Sequence, residues 1–175
     1  MALHNSILTD ELVKAVCGQY RLDLDGPHGI KHWARVYDIG LKIAGSCGAD
    51  TQIVELFALF HDCCRVNNHG DRGHGKRGAE LAAMFQGRYF DIAGKQWQLL
   101  DIACSMHTDA RTHPDVTVQV CFDADRLDLG RVGKYPDPFF LSTDLARQEE
   151  MIIWAYRRSI ENHLPANPHT LNCFL

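Results

Sequence analysis

The residues best suited to chemistry are histidines and aspartates set into apolar stretches. The chain holds ten histidines. One of them, in the adjacent pair His61-Asp62, lies in the most apolar run, IVELFALFHDCCR. Burying a His and an Asp there is costly unless something offsets their polarity. A divalent ion would do so, with imidazole nitrogen and carboxylate oxygen as ligands. Neighbours on a helix point about 100° apart, so they converge only on an ion lying in a groove between helices. Further ligands must then come from other helices. His32 sits in HWARV and Asp125 in DADRLDL, each with apolar residues on both sides. Taken singly, each reads as a structural histidine or a solvated or capping aspartate. Their joint occurrence reads as a metal centre.

The elements that must position these groups are helical almost throughout. Residues 8–19 form a short amphipathic start, with Thr9 as N-cap before Asp10 and Glu11. Asp25-Gly26-Pro27 breaks the chain. From His28 to about Ala44, Ile30, Trp33, Val36, Tyr37, Gly40, Leu41 and Ala44 recur as a helical stripe, which Gly45 and Gly48 end. Asp50 or Thr51 caps a third helix running to about Arg65, apolar on most sides and therefore central. Asn67 to Gly75 reads as a polar loop. Further helices are predicted over Lys76 to Phe85, Lys95 to about His107, and Val116 to about Leu129. Arg131 to Pro138 reads as a Gly/Pro loop. A last helix, about Thr143 to His163, carries Leu145, Ile152, Ala155, Tyr156 and Ser159 on one face, and the tail after Pro165 reads as irregular. Only Val116 to Phe122 competes as a strand, through its β-branched residues, and it has nothing obvious to pair with. One all-α domain over residues 1–175 is the economical reading.

Composition narrows the function classes. A chain of 175 residues is one domain of ordinary size, burying roughly 70% of its unfolded surface. With 46% hydrophobic and 23% charged residues it is globular. Eighteen Lys and Arg against 22 Asp and Glu give a net charge of −4. That argues against general nucleic-acid binding but leaves room for a local basic pocket. Seven cysteines, an odd count without a CxxC spacing, predict reduced thiols packed as small hydrophobes. The N-terminal stretch lacks the pattern of a signal peptide, and no apolar run approaches the ~20 residues of a membrane span. A cytoplasmic protein with no membrane partner is expected.

His32 in HWARV, the doublet in ALFHDCCR and Asp125 in DADRLDL, in that order, resemble the H…HD…D signature of the HD superfamily of metal-dependent phosphohydrolases. The resemblance implies an HD-type helical bundle with its core over about 28–130 and one or two divalent ions between the helices. Mixed His/Asp ligation admits Mn, Fe, Co, Ni, Zn or Mg. It also implies hydrolysis of a phosphoester or phosphoanhydride. Several branches insert two histidines before the last Asp and hold two metals. His74 and His107 match that order, which makes Asp62 the bridging carboxylate. The other readings of His74 and His107 are contacts to substrate phosphate, or simple helix-end residues. His69, mid-loop, competes with His74.

Other candidates surround this set. Arg65, three residues after Asp62, reads as a bidentate grip on substrate phosphate that also stabilises developing charge. The deoxynucleotidase-like branch carries an acidic residue near that position, so Arg65 is a departure from it. Lys76, with Arg77, reads as a phosphate contact or a solvated face. His28, one turn before His32, reads as a substrate contact or a residue at the helix start. Arg35 reads as a support for the fold or for a ligand Asp. Cys63 and Cys64 read as core, and Trp33, Trp97 and Trp154 as core or pocket wall. The expected reaction is attack of a metal-activated water on the phosphorus of a small phosphorylated molecule, a nucleotide or related metabolite, with Asp62 orienting the nucleophile. Two rivals stand beside it: a di-iron oxygenase of the inositol-oxygenase-like branch, and a metal-binding regulatory module without catalysis. The last helix packs on the core or on a second subunit of a homodimer.

Overall fold

The computed structural model describes residues 6–165. The irregular tail expected after Pro165, the first five residues and Cys173 lie outside that range. Seven α-helices are present among the described residues: α1 (Asp10–Cys17), α2 (Ile30–Cys47), α3 (Thr51–Phe60), α4 (His74–Phe85), α5 (Gly94–Met106), α6 (Val116–Leu127) and α7 (Glu149–Ile160). Two 3-10 turns, Leu129–Val132 and Pro138–Phe140, join α6 to α7. Among the described residues the only β feature is an isolated bridge from Gln86 to Phe90.

Local chemistry starts these helices. Thr9 accepts from the Leu12 amide, Asp50 from the Gln52 and Ile53 amides, and Asp115 from the Thr117 amide. Each side chain satisfies donors that a helix start leaves orphaned. The Asp115 cap helps commit Val116–Phe122 to helix despite its β-branched residues. At the other end of α2, Gly48 takes a left-handed conformation (φ 72°) and returns its N–H to Ala44 O. Gly45 stays inside the helix, so α2 runs to Cys47.

Helix α3 is the centre. Every residue from Ile53 to Phe60 is buried, the carboxylate of Glu55 included. Glu55 is held by Ser6 Oγ (2.8 Å), the Ile7 amide (2.9 Å) and Tyr37 OH (3.2 Å). Helices α2, α5 and α6 pack round α3, and α4 packs on α5. Two glycines set the α4 approach. A Cβ at Gly75 would collide with the Cys104 carbonyl of α5, and one at Gly78 with the Phe60 carbonyl that ends α3. Helix α7 packs on the 129–132 turn and on α2, so its apolar face is covered within the chain.

Two further boundaries, the end of α3 and the start of α7, differ from expectation, while His74 opens α4 as expected. Helix α3 stops at Phe60, not near Arg65. The His61 ring turns back on the helix end, with Nδ1 3.0 Å from Phe57 O and 3.2 Å from Ala58 O, and a turn follows. Helix α4 begins at His74, because Gly73 adopts φ 82° and swings the chain out of the loop. Helix α7 begins at Glu149 instead of Thr143. The buried Asp123 carboxylate accepts from the Ser142 and Thr143 amides and from Thr143 Oγ1, pinning this segment against α6.

Candidate metal centre

Four elements deliver side chains to one point. His32 projects from the first turns of α2, and His61-Asp62 from the C-terminal end of α3. His74 is the first residue of α4, and His107 follows the last residue of α5. All five are buried. They form two groups with ligand atoms in mutual reach: His32, His61 and Asp62, and Asp62, His74 and His107. Asp62 belongs to both. Its Oδ2 lies 3.6 Å from His32 Nε2, and its Oδ1 lies 3.0 Å from His74 Nε2. Asp125 of α6 adds a carboxylate on the inner side, with Oδ1 3.4 Å from His32 Nε2 and 3.8 Å from His61 Nε2.

The hydrogen bonds behind these groups fix which nitrogen is free. His32 Nδ1 lies 2.8 Å from Asp128 Oδ2, His61 Nδ1 3.0 Å from Phe57 O, His74 Nδ1 2.6 Å from Asp71 O, and His107 Nδ1 2.8 Å from Cys104 O. Each acceptor requires the proton on Nδ1, so each neutral ring presents a bare Nε2 lone pair. Yet the Nε2 atoms meet in pairs, His32 with His61 at 2.9 Å and His74 with His107 at 3.0 Å. Two lone pairs that close repel unless a cation lies beside them. Two imidazole nitrogens bound to one ion at about 2.1 Å and near a right angle stand about 3 Å apart. The donor set therefore fits divalent ions, with outer partners of the kind that orient ligating histidines.

Protonation follows the same logic. Burial lowers the pKa of His61 to about 4 and holds His32 and His107 down as well, so these rings are neutral. Burial opposes ionisation of Asp62 and Asp125, but the cations and histidines around them win and keep both anionic. His74 is the exception. Burial lowers its pKa, but the hydrogen bond and charge of Asp62 outweigh that, and the net shift is upward.

A cavity of about 730 Å³ opens over the centre. Asp62, His74, His107 and Asp125 line its floor, while His32 and His61 lie behind them. Arg65, Arg72, Arg126, Arg131 and Lys134 also line it, with Tyr135 and Phe140 on the outer wall.

The other residues singled out in the sequence fall in different places round the centre. Arg65 lines the cavity, but its donors are engaged internally, Nη1 to Asp62 Oδ1 (3.1 Å), Nε to Asn67 O and Nη2 to His69 O. Lys76 is exposed and lies off the cavity wall, and Arg77 pairs with Asp71. His28 is buried with Nδ1 2.8 Å from Asp62 Oδ2, and it too lies off the wall. His69 is exposed at the rim, whereas His74 is the histidine that reaches Asp62. Trp33, Trp97 and Trp154 are absent from the lining, and Cys63 and Cys64 belong to neither ligand group.

Four residues were not singled out as candidates from the sequence. Asp128 holds both His32 Nδ1 and the Arg35 guanidinium (2.6 Å and 3.1 Å), which gives Arg35 its partner. Its signal was its place three residues after Asp125, on the same helix face. Arg131 reaches Asp125 Oδ1 at 3.3 Å and ties it to the Pro27 and Asp128 carbonyls. Lys134 is exposed at the rim. Arg126 bonds the carbonyls of His107, Ala110, Arg111 and Phe140, lacing the loop after α5 to the outer wall.

The fold is all-helical, and its buried His/Asp centre draws on five elements, α2 to α6. The chain belongs to the HD domain family, whose sequence profile matches residues 29–130. Neither the curated proteins nor the solved structures offered a match. No helix of the described residues is long and apolar enough to cross a membrane.

Proposed function

We propose that the protein is a phosphohydrolase acting on a small phosphorylated molecule, of nucleotide size or type, with two divalent ions that share Asp62. The observation that carries this reading is the pair of three-donor groups meeting at Asp62 on the floor of an open cavity. Bound divalent ions supply a water of lowered pKa and positive charge at the phosphoryl oxygens. The chain's own groups do the rest. His32, His61, Asp125, His74 and His107 would hold the ions, and Asp62 would orient the attacking water. Arg65 keeps Asp62 in place through Nη1 and presents its charge to the reacting phosphoryl group. Arg72 and Lys134, both exposed at the rim, are the cations placed to meet parts of the substrate that are not cleaved.

Charge supports the same reading. Five cationic side chains and five aspartates line the cavity, so the protein alone offers a phosphate little net attraction. Metal supplies the excess. The test is elemental analysis of freshly purified protein, then a screen of nucleotides, dinucleotides and small phosphoesters with and without added Mn²⁺. Metal in the protein together with phosphate release supports the reading. Oxygen uptake without phosphate release would replace it with the oxygenase chemistry. Metal without any turnover would leave the non-catalytic module.

A further inference from the structure

The two ligand groups are chemically unequal. Both use two histidines and one oxygen of Asp62. The inner group also has Asp125, whose Oδ1 is 3.4 Å from His32 Nε2. Arg131 partly offsets that charge at 3.3 Å. The outer group has no carboxylate of its own. Arg65 stands there instead, its Nη1 3.1 Å from Asp62 Oδ1 and 3.3 Å from His74 Nε2. Those are two of the atoms the outer ion must use. A guanidinium is never deprotonated in practice, so its charge persists at every working pH.

We propose that Arg65 holds the outer ion position weak, so that the inner ion is resident and the outer one exchanges with the surrounding divalent pool. Two effects act together. Nη1 competes for Asp62 Oδ1, which the outer ion would share with His74, and unlike His28 on Oδ2 of the inner side it does so with a permanent charge. The fixed positive charge also repels an incoming dication at short range, where screening by water is poor. The bonds from Nε and Nη2 to Asn67 O and His69 O anchor the side chain, so it does not simply swing away. The number of ions held then depends on free divalent concentration. This inference rests on the two-ion reading above.

The test is a calorimetric Mn²⁺ titration of the metal-stripped full chain, with electron paramagnetic resonance counting coupled ion pairs. The wild type is expected to bind one ion tightly and a second about tenfold or more weaker. Arg65→Gln removes the charge, and its second ion should bind nearly as tightly as the first. Arg65→Lys loses the same loop bonds but keeps a charge, and its second ion should remain weak. His107→Ala should leave one tight ion. A second ion no tighter in Arg65→Gln than in the wild type would overturn the proposal, as would equal tightening in Arg65→Lys. A wild type that never binds a second ion, with His107→Ala indistinguishable from it, would instead overturn the two-ion reading.

Discussion

At the scale of single residues, the centre depends on groups that face the ligands as much as on the ligands. Asp62 serves both donor groups, so Asp62→Asn should remove most bound metal and reduce turnover to background. Metal content per chain on the purified variant checks this directly. Asp128 has a different role. It accepts from His32 Nδ1 and bonds the buried Arg35 guanidinium twice. Asp128→Asn should weaken metal binding about 10–100-fold, as loss of such outer partners does. It should also destabilise the fold by about 3–5 kcal/mol, because Arg35 would be left with an unpaired buried charge. Competition with a chelator and urea unfolding measure the two effects separately. His32, His61, Asp62 and Asp125 were legible as polar residues inside apolar runs, whereas His74 and His107 were legible only through the residue order that the family resemblance implies. Asp128 has the same residue type as Asp125 in the same run, but its role depends on facing Arg35 and His32 across 93 and 96 positions. No local pattern reports that. Arg65 was legible as a residue close to Asp62 and illegible in its bonding, because its partners Asn67 O and His69 O lie in a loop of irregular shape.

At the scale of elements, helix existence followed from periodicity, while the ends followed from tertiary contacts. Helix α3 ends where His61 folds back on Phe57 O, and α7 starts late because Asp123 holds Ser142 and Thr143. Neither contact has a signature in a local window. The approach of α4 to α3 and α5 depends on Gly75 and Gly78, which the sequence shows only as two glycines near a loop. Gly78→Ala should cost about 1–3 kcal/mol by overpacking against the Phe60 carbonyl. It should also displace His74, a member of the Asp62, His74 and His107 group, so the metal content of the purified variant should fall. Thermal unfolding and elemental analysis on the same variant test this pairing of effects.

At the scale of the whole molecule, stability and pH are linked through the centre. The folded-state pKa of His61, about 4, lies below its ordinary value of 6.5. The folded protein therefore binds fewer protons than the unfolded chain between those values. The corresponding stability is present above pH 6.5 and is lost as pH falls through about 4. The lowered carboxyl of Asp125 acts in the same direction at lower pH. The melting temperature of metal-stripped protein should thus fall between pH 6.5 and 4. Metal-loaded protein should melt higher at neutral pH and lose that margin faster on acidification, as protons displace the ions. Calorimetric melts across this range, with and without Mn²⁺, provide the comparison. Because cationic and anionic side chains on the cavity wall balance, orthophosphate should bind the metal-loaded protein and show no measurable binding to the stripped one. Titration calorimetry with orthophosphate decides it.

Arg126 has a consequence of a different kind. Its one guanidinium fastens the segment carrying His107 to the stretch that ends in Phe140. The floor of the cavity and its outer wall are therefore tied together by a residue that belongs to neither ligand group. Substitution there should loosen the backbone at His107 and the wall at Phe140 together, so neither end of the cavity moves alone.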